Sequence, residues 1–415
     1  MKRNSFLLLI VLSAALVTVW GCGMNTAAAP QAGVQSKCVG CHRNITPGLV
    51  KDHLAGGMGK AGVDCVACHG SEHMDADSSG KAQMPDEQTC GRCHPKRTEQ
   101  FMGGKHALGW AAMAGLPVTA MQPHAAIEGL KGCGGCHKVG VQDPNAPAQS
   151  RYGMGCNSCH TRHKFSKAEA RRPQSCSPCH QGASYIQWDA WSKSKHGVIY
   201  AIEGDTGRAP TCQTCHMQKG DHAVLTAWGE LALLTDKDDP EWARNRAAIF
   251  KYLGVYDADG NPTPGLDAVL SAKMLRSSRA QWSDQREKMI RTCAQCHSGN
   301  FAKTHLENTD QLLKEADGMV SQAIETVADL YRRGFIRPDK GQPNYPNLGV
   351  LYEARTPIEQ DLYRMIIDQR GVLVHGAFHM DPCFVTWEGQ AALKQSLLSI
   401  RHQAGEMIRQ VESKH

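Results

Sequence analysis

Cys133-Gly134-Gly135-Cys136-His137 is the stretch on which the reading of this chain turns. Two thiols three residues apart can add across the two vinyl groups of one haem, and the histidine that follows can ligate its iron, so the pattern marks a c-type haem site. The same Cys-x-x-Cys-His pattern recurs on both sides of it: Cys38 with Cys41, Cys65 with Cys68, Cys90 with Cys93, Cys156 with Cys159, Cys176 with Cys179, Cys212 with Cys215 and Cys293 with Cys296. Of 18 cysteines, 16 fall in these eight motifs, leaving Cys22 and Cys383. A zinc knuckle needs no histidine directly after its second cysteine, and a disulfide framework needs none at all. Eight covalently bound c haems are the expected cofactors.

Composition agrees with a chain wrapped on cofactors. Hydrophobic residues make up 41% of 415, enough for a modest core, and the haems supply the missing apolar volume. The formal charge of +6 leaves out the haem propionates. The lysines and arginines are therefore read as propionate partners and a funnel for small anions, and nucleic acid is not an expected partner. Cys383, outside the motifs, reads as a small buried hydrophobe.

Lys2 and Arg3, the apolar run 6–19 and Val19-Trp20-Gly21-Cys22 form a secretory leader. The last four residues have the form of a bacterial lipobox, whose cysteine thiol is acylated. This makes Cys22 a lipid anchor on the periplasmic side of a membrane; the alternative is cleavage near residues 27–29 and a soluble periplasmic protein. The expected layout is a leader over 1–22, a flexible tether over 23–36, a haem-dense domain over 37–222, a helical segment with the eighth motif over 223–305, and a C-terminal helical domain over 306–415.

The fold class is mainly α: a multihaem cytochrome c fold of short helices and loops wrapped on eight haems, followed by a long-helix region. Seven motifs crowd into 38–216, too densely for sheets, with glycines frequent where backbone passes close to porphyrin. Asp239-Pro240-Glu241 signals a helix start and Gly254 its end, while 257–265 reads as a turn. Leu312, Leu313, Ala316, Met319, Val320, Ala323, Ile324, Val327 and Leu330 recur at helical spacing and form a core stripe. Thr356-Pro357-Ile358-Glu359 is a capping box opening a helix through Leu362, Met365 and Ile366, and another helix covers roughly 390–411.

Each motif supplies a proximal ligand: His42, His69, His94, His137, His160, His180, His216 and His297. Candidates for the opposite face of each iron are His53, His73, His106, His124, His163, His196, His222 and His305, with His375, His379, His402 and His415 remaining. A second imidazole suits electron transfer, whereas a vacant position suits chemistry.

Cys156-Asn-Ser-Cys-His-Thr-Arg-His163 with Phe165-Ser166 and Glu169-Ala-Arg171, then Ser194-Lys-His-Gly197, then Pro210-Thr-Cys-Gln-Thr-Cys-His-Met217 resemble the octahaem hydroxylamine oxidoreductase family. The resemblance runs from about residue 38 to 387. It implies a homotrimer in which seven haems are bis-histidine and the fourth, on His137, has an open site. Oxidative members cross-link that haem to a tyrosine near the C-terminus of a neighbouring subunit. The corresponding stretch here, Gly376-Ala-Phe-His-Met-Asp-Pro-Cys-Phe384, has none, and no tyrosine follows Tyr363. This likens the chain to reductive members, which take nitrite or hydroxylamine towards ammonium. The family's Asp-His pair after the sixth motif is replaced by Ser184-Tyr185, so His375 or His379 would have to supply protons beside those two residues.

Two functions are therefore expected from the sequence. One is an enzyme reducing a small N-oxide anion at the His137 iron, fed by a cytochrome or quinol-linked donor. The other is a non-catalytic electron-transfer wire, favoured by the Ser184-Tyr185 replacement. Hydroxylamine oxidation ranks third.

Overall fold

The computed structural model describes residues 36–109, 134–137, 139–140, 155–182, 185–225, 239–271, 279–338, 340–348 and 356–413. Cys22 and the leader, most of the tether, and the candidates Cys133, His124 and Ser184 lie outside them. Up to His222 the described chain is a succession of short helices, such as Lys37–Ile45, Pro47–Ala55, Glu87–Gly91, Pro95–Gly103 and Cys212–His216. Helices this short are marginal alone. Side chains close their ends: Asp86 and Thr89 cap each other reciprocally, as do Thr211 and Thr214, and Ser36 Oγ accepts from the Cys38 N–H at 3.2 Å. The β content among the described residues is one isolated bridge, Tyr256 to Pro262.

The helices after the sixth motif include α1 (Gln187–Lys193), α2 (Lys195–Glu203), α3 (Pro240–Tyr252), α4 (Arg279–Cys293), α5 (Gly299–Arg332), α6 (Pro357–Arg364), α7 (Gly371–Phe378) and α8 (Ala392–Glu412), of which α3, α4, α5 and α8 are the long ones. Asp239 caps α3 by accepting from the Trp242 N–H at 3.0 Å, and Gly254 just beyond its end has φ +71°. The α5 stripe is buried from Leu313 to Leu330, with Leu312 and Met319 at its margin. It packs with Ile249 of α3, Ile358 and Leu362 of α6, Leu373 of α7, and Leu393 and Ile400 of α8 into one apolar core. The 257–265 segment turns as expected, Asp257 Oδ1 accepting from the Asn261 N–H at 2.8 Å.

Thr356 opens α6, its hydroxyl accepting from the Glu359 N–H at 3.4 Å and donating to the Glu359 carboxylate. Thr356→Ala is expected to cost about 1 kcal/mol, read as a lowered denaturant midpoint with haem content unchanged. The helix expected to run on regularly through Ile366 instead widens into a π-helical segment, Met365–Arg370, and a second one, Phe384–Ala391, precedes α8. Wide turns of this kind re-aim the side chains around them and concentrate at functional sites. Here Arg370, at the end of the first, points Nε at the fully buried Asp317 of α5, 2.7 Å away.

Between those segments α7 is held very close to its neighbours. A Cβ on Gly376 would lie 2.7 Å from Phe384 Cβ. Ile186 and Ala190 bury against Val372 and Phe384, tying α1 to α7, and Lys193 Nζ sits 4.3 Å above the Phe384 ring. In the haem-dense region a Cβ on Gly140, at φ +135°, would lie 2.6 Å from the Ala107 carbonyl oxygen. Backbone crossing backbone is what glycine permits there. Cys383 is exposed, contrary to the expected burial, because Asp381 Oδ1 accepts from its N–H at 2.9 Å and leaves its side chain outside.

Candidate haem-binding cavity and active site

In five motifs the histidine N–H donates to the carbonyl of the first cysteine: His69 to Cys65 and His94 to Cys90 at 2.9 Å, His160 to Cys156 at 3.0 Å, His180 to Cys176 at 3.1 Å and His297 to Cys293 at 2.9 Å. That closes one helical turn. Residues three and four apart share a face, so both thiols and the imidazole point the same way. Burial pushes the Cys65 and Cys159 thiols up to about 11 and Cys215 to about 12. Redox-active Cys-x-x-Cys pairs go the other way. Cys176 is lowered to about 7 by its hydrogen bond with Cys212, whose own value rises.

These turns line a cavity of about 3570 Å³ whose walls carry a cysteine and the histidine of every motif. A drug-sized ligand site is about 300–1,000 Å³, so the space suits several large cofactors together. Arg92, Arg97, Lys105, Arg171 and Arg208 stand in the same walls, where they fit acidic groups.

Inside, imidazoles face one another in pairs. A metal–imidazole bond is about 2 Å long, so two imidazoles sharing an iron stand about 6 Å apart between ring centres. His42 and His73 are 5.9 Å apart; His69 and His163, His106 and His180, and His196 and His297 are 6.1 Å; His160 and His222, and His216 and His379, are 6.3 Å. Tautomers fit as well. Nδ1 donates to a backbone carbonyl in His69 (Gln83, 2.8 Å), His216 (Leu225, 2.7 Å), His222 (Gly220, 2.8 Å) and His379 (His375, 2.8 Å), which leaves Nε2 bare for a metal. The residues present thus fit haem iron held between two histidines.

His379, expected among the proton donors, is therefore placed differently: its Nδ1–H is committed and its ring faces His216. His53 and His305 also differ from expectation. Both line the cavity, but no described motif histidine faces them, because His163 and His196 take the places opposite His69 and His297; His305 keeps Nε2 buried and unpartnered behind Phe301. No described imidazole faces His94.

Burial, with help from His216, lowers His379 to about 3, and burial with His106 lowers His180 to about 4. Unfolded histidine titrates near 6.5. Between about pH 6.5 and 4 the unfolded chain therefore binds more protons, so stability falls as pH falls. In the loaded protein iron competes with a proton for the same imidazole nitrogen, so the denaturant midpoint is expected to be lower at pH 5 than at pH 7, with loss of low-spin absorbance in step.

At His137 the facing ring is different. Tyr185 stands 5.7 Å away, edge-on at 71°, and 6.4 Å beyond Tyr185 is His375. His375 Nε2 lies 3.2 Å from the amide nitrogen of Gln187. A phenol, an imidazole and an amide near one motif histidine form a polar pocket in a wall where six other motif histidines each face a second imidazole. Gln187 carried no signal in the sequence, since a single glutamine after a haem motif is unremarkable; only the packing of α1 on α7 brings it there.

The thiols also give an order of neighbours. Cys38 lies near Cys65, Cys68 near Cys90 and Cys93, Cys90 near Cys156, Cys159 near Cys176 and Cys179, Cys176 near Cys212, and Cys215 near Cys293. Cys136 Sγ lies 3.8 Å from the Pro178 carbonyl, which sets the fourth motif beside the sixth.

Fold and cavity together define a multihaem c-type cytochrome. Residues 61–229 and 268–344 match the model of the family described as seven times multi-haem cytochrome CxxCH, and the chain belongs to that family. It is 28% identical over 400 residues to a probable nitrite reductase-hydroxylamine oxidoreductase fusion protein of Kuenenia stuttgartiensis; the match covers 81% of this chain and 43% of that relative, so the chain spans under half its length. Among solved structures it superposes with a TM-score of 0.64 on the reducing HAO-like protein complex of the same organism, at 24% identity over 91% of this chain and 86% of that one. It superposes equally, at 0.64 and 18% identity, on a hypothetical multihaem protein, covering 91% and 95%. The shared fold is mainly helical.

Proposed function

We propose that this chain carries eight c haems and reduces nitrite or hydroxylamine towards ammonium at the His137 site. The observation that carries the reading is the replacement of a facing imidazole by Tyr185, backed by His375. Haem iron, when bound, supplies electrons and an acceptor for the substrate nitrogen. The protein's own groups do the rest: the Tyr185 hydroxyl and the His375 ring confine a small anion on that side, and His375, whose Nε2 accepts from the Gln187 amide, has Nδ1 as the nitrogen from which a proton can be handed over. The other paired histidines keep their sites closed to substrate, and the cysteine order offers a route by which electrons reach the fourth motif from the sixth. The relative's description, naming both nitrite reductase and hydroxylamine oxidoreductase, supports this chemistry.

The test is turnover of nitrite and hydroxylamine by the loaded protein with a reduced dye, with ammonium as product; absence of ammonium from both excludes the reading. A second reading, an electron wire on the periplasmic side of a membrane, is favoured by one distance. At 5.7 Å from His137, Tyr185 is near enough to cap that site itself.

A further inference from the structure

Gln187 begins α1, and the helix is fixed against α7 by Ile186 and Ala190 packing on Val372 and Phe384. Its side chain crosses that junction. The amide nitrogen reaches His375 Nε2 at 3.2 Å, while the amide oxygen is buried with no hydrogen-bond partner among the described residues. A buried polar atom left without a partner costs about 1–3 kcal/mol. Leucine would fill the same volume at an apolar helix junction without that cost. The position therefore carries a constraint other than stability, and the group it touches is the imidazole beside Tyr185.

We propose that Gln187 is a positioning residue for the reaction: its amide holds the His375 ring in one orientation beside Tyr185, on the side of the fourth motif where substrate binds. The inference rests on the proposed reduction at His137. His375 sits on α7, whose backbone is set from outside by the two π-helical segments, but a histidine ring turns about two side-chain bonds that helix packing does not fix. A hydrogen bond to one ring nitrogen fixes them. Misplacement of a reacting group by about 1 Å can cost up to about 100-fold in rate, so a residue that never meets substrate can still govern turnover.

The experiment uses the loaded, reduced protein with carbon monoxide as probe, in wild type, Gln187→Leu, His375→Ala and the double variant. Wild type is expected to give one narrow C–O stretching band. In Gln187→Leu the band broadens or splits as the His375 ring takes several orientations, kcat falls about tenfold with KM within about twofold, and the melting temperature does not drop. In the His375→Ala background, Gln187→Leu then changes neither the band nor kcat, because the two residues act as one unit. Gln187→Glu, which keeps a hydrogen-bonding group in place, restores the narrow band. A wild-type-like band and kcat in Gln187→Leu overturn the proposal, as does the full effect persisting without His375. Failure of the wild type to bind carbon monoxide overturns instead the reading of the His137 site beneath it.

Discussion

Asp317→Ala is expected to destabilise the loaded protein by about 3–5 kcal/mol. The carboxylate is fully buried in α5 and accepts from Arg246 Nε at 3.0 Å, Arg370 Nε at 2.7 Å and Trp242 Nε1 at 2.8 Å. Removing it takes away the carboxylate that two buried guanidinium groups share. Arg246 also stacks on Trp242, its guanidinium 4.0 Å from the ring centre, so the loss spreads through α3. Arg370 closes the π-helical segment immediately before α7, which carries His375 and leads into His379. Equilibrium denaturation should therefore show a lower midpoint, and the low-spin signal that depends on His379 should weaken before the global transition. A change under about 1 kcal/mol, the range of exposed ion pairs, would show that the network does not hold α7.

His375→Ala is expected to lower kcat for nitrite or hydroxylamine reduction by about 10²- to 10⁴-fold, the range for losing a positioned proton donor. Carbon monoxide binding by the reduced protein should persist, because Tyr185 is the ring that faces His137, and His375 stands 6.4 Å from Tyr185. Loss of carbon monoxide binding along with turnover would mean that His375 is needed to build the site, and unchanged turnover would remove it from the chemistry. His379→Ala should behave differently: it faces His216, so the expected result is one low-spin haem converted to a ligand-accessible one, with a smaller change in turnover.

The Cys-x-x-Cys-His motifs were legible at once, because three fixed residues within one helical turn bring two thiols and an imidazole to one face. The long helices were legible too. The stripe from Leu312 to Leu330 and the caps at Asp239 and Thr356 are local signals, and local signals survive folding. Where the reading went astray, the deciding contact is long-range. His379 faces His216 across 163 residues of chain, and what commits its ring is a carbonyl four residues earlier, a geometry invisible in composition. The widening at Met365–Arg370 has no sequence periodicity of its own, and its last residue donates to an aspartate 53 residues away. His73 and His163 find partners, while His53 and His305 face none among the described motif histidines. Tyr185 looked like a loss of function at a position where an imidazole was anticipated; in three dimensions it marks the one motif histidine that a described phenol faces.

The central claim is that the iron on His137 accepts a small ligand on the Tyr185 side. The most direct measurement is the absorption spectrum of the fully loaded, reduced protein before and after carbon monoxide. The account requires a Soret shift from one haem, matched by a high-spin ferric signal in magnetic resonance of the oxidised protein, both retained in His375→Ala. A spectrum unmoved by carbon monoxide, with low-spin signals only, would show that Tyr185 or another side chain closes that iron and would leave the chain as a conductor of electrons.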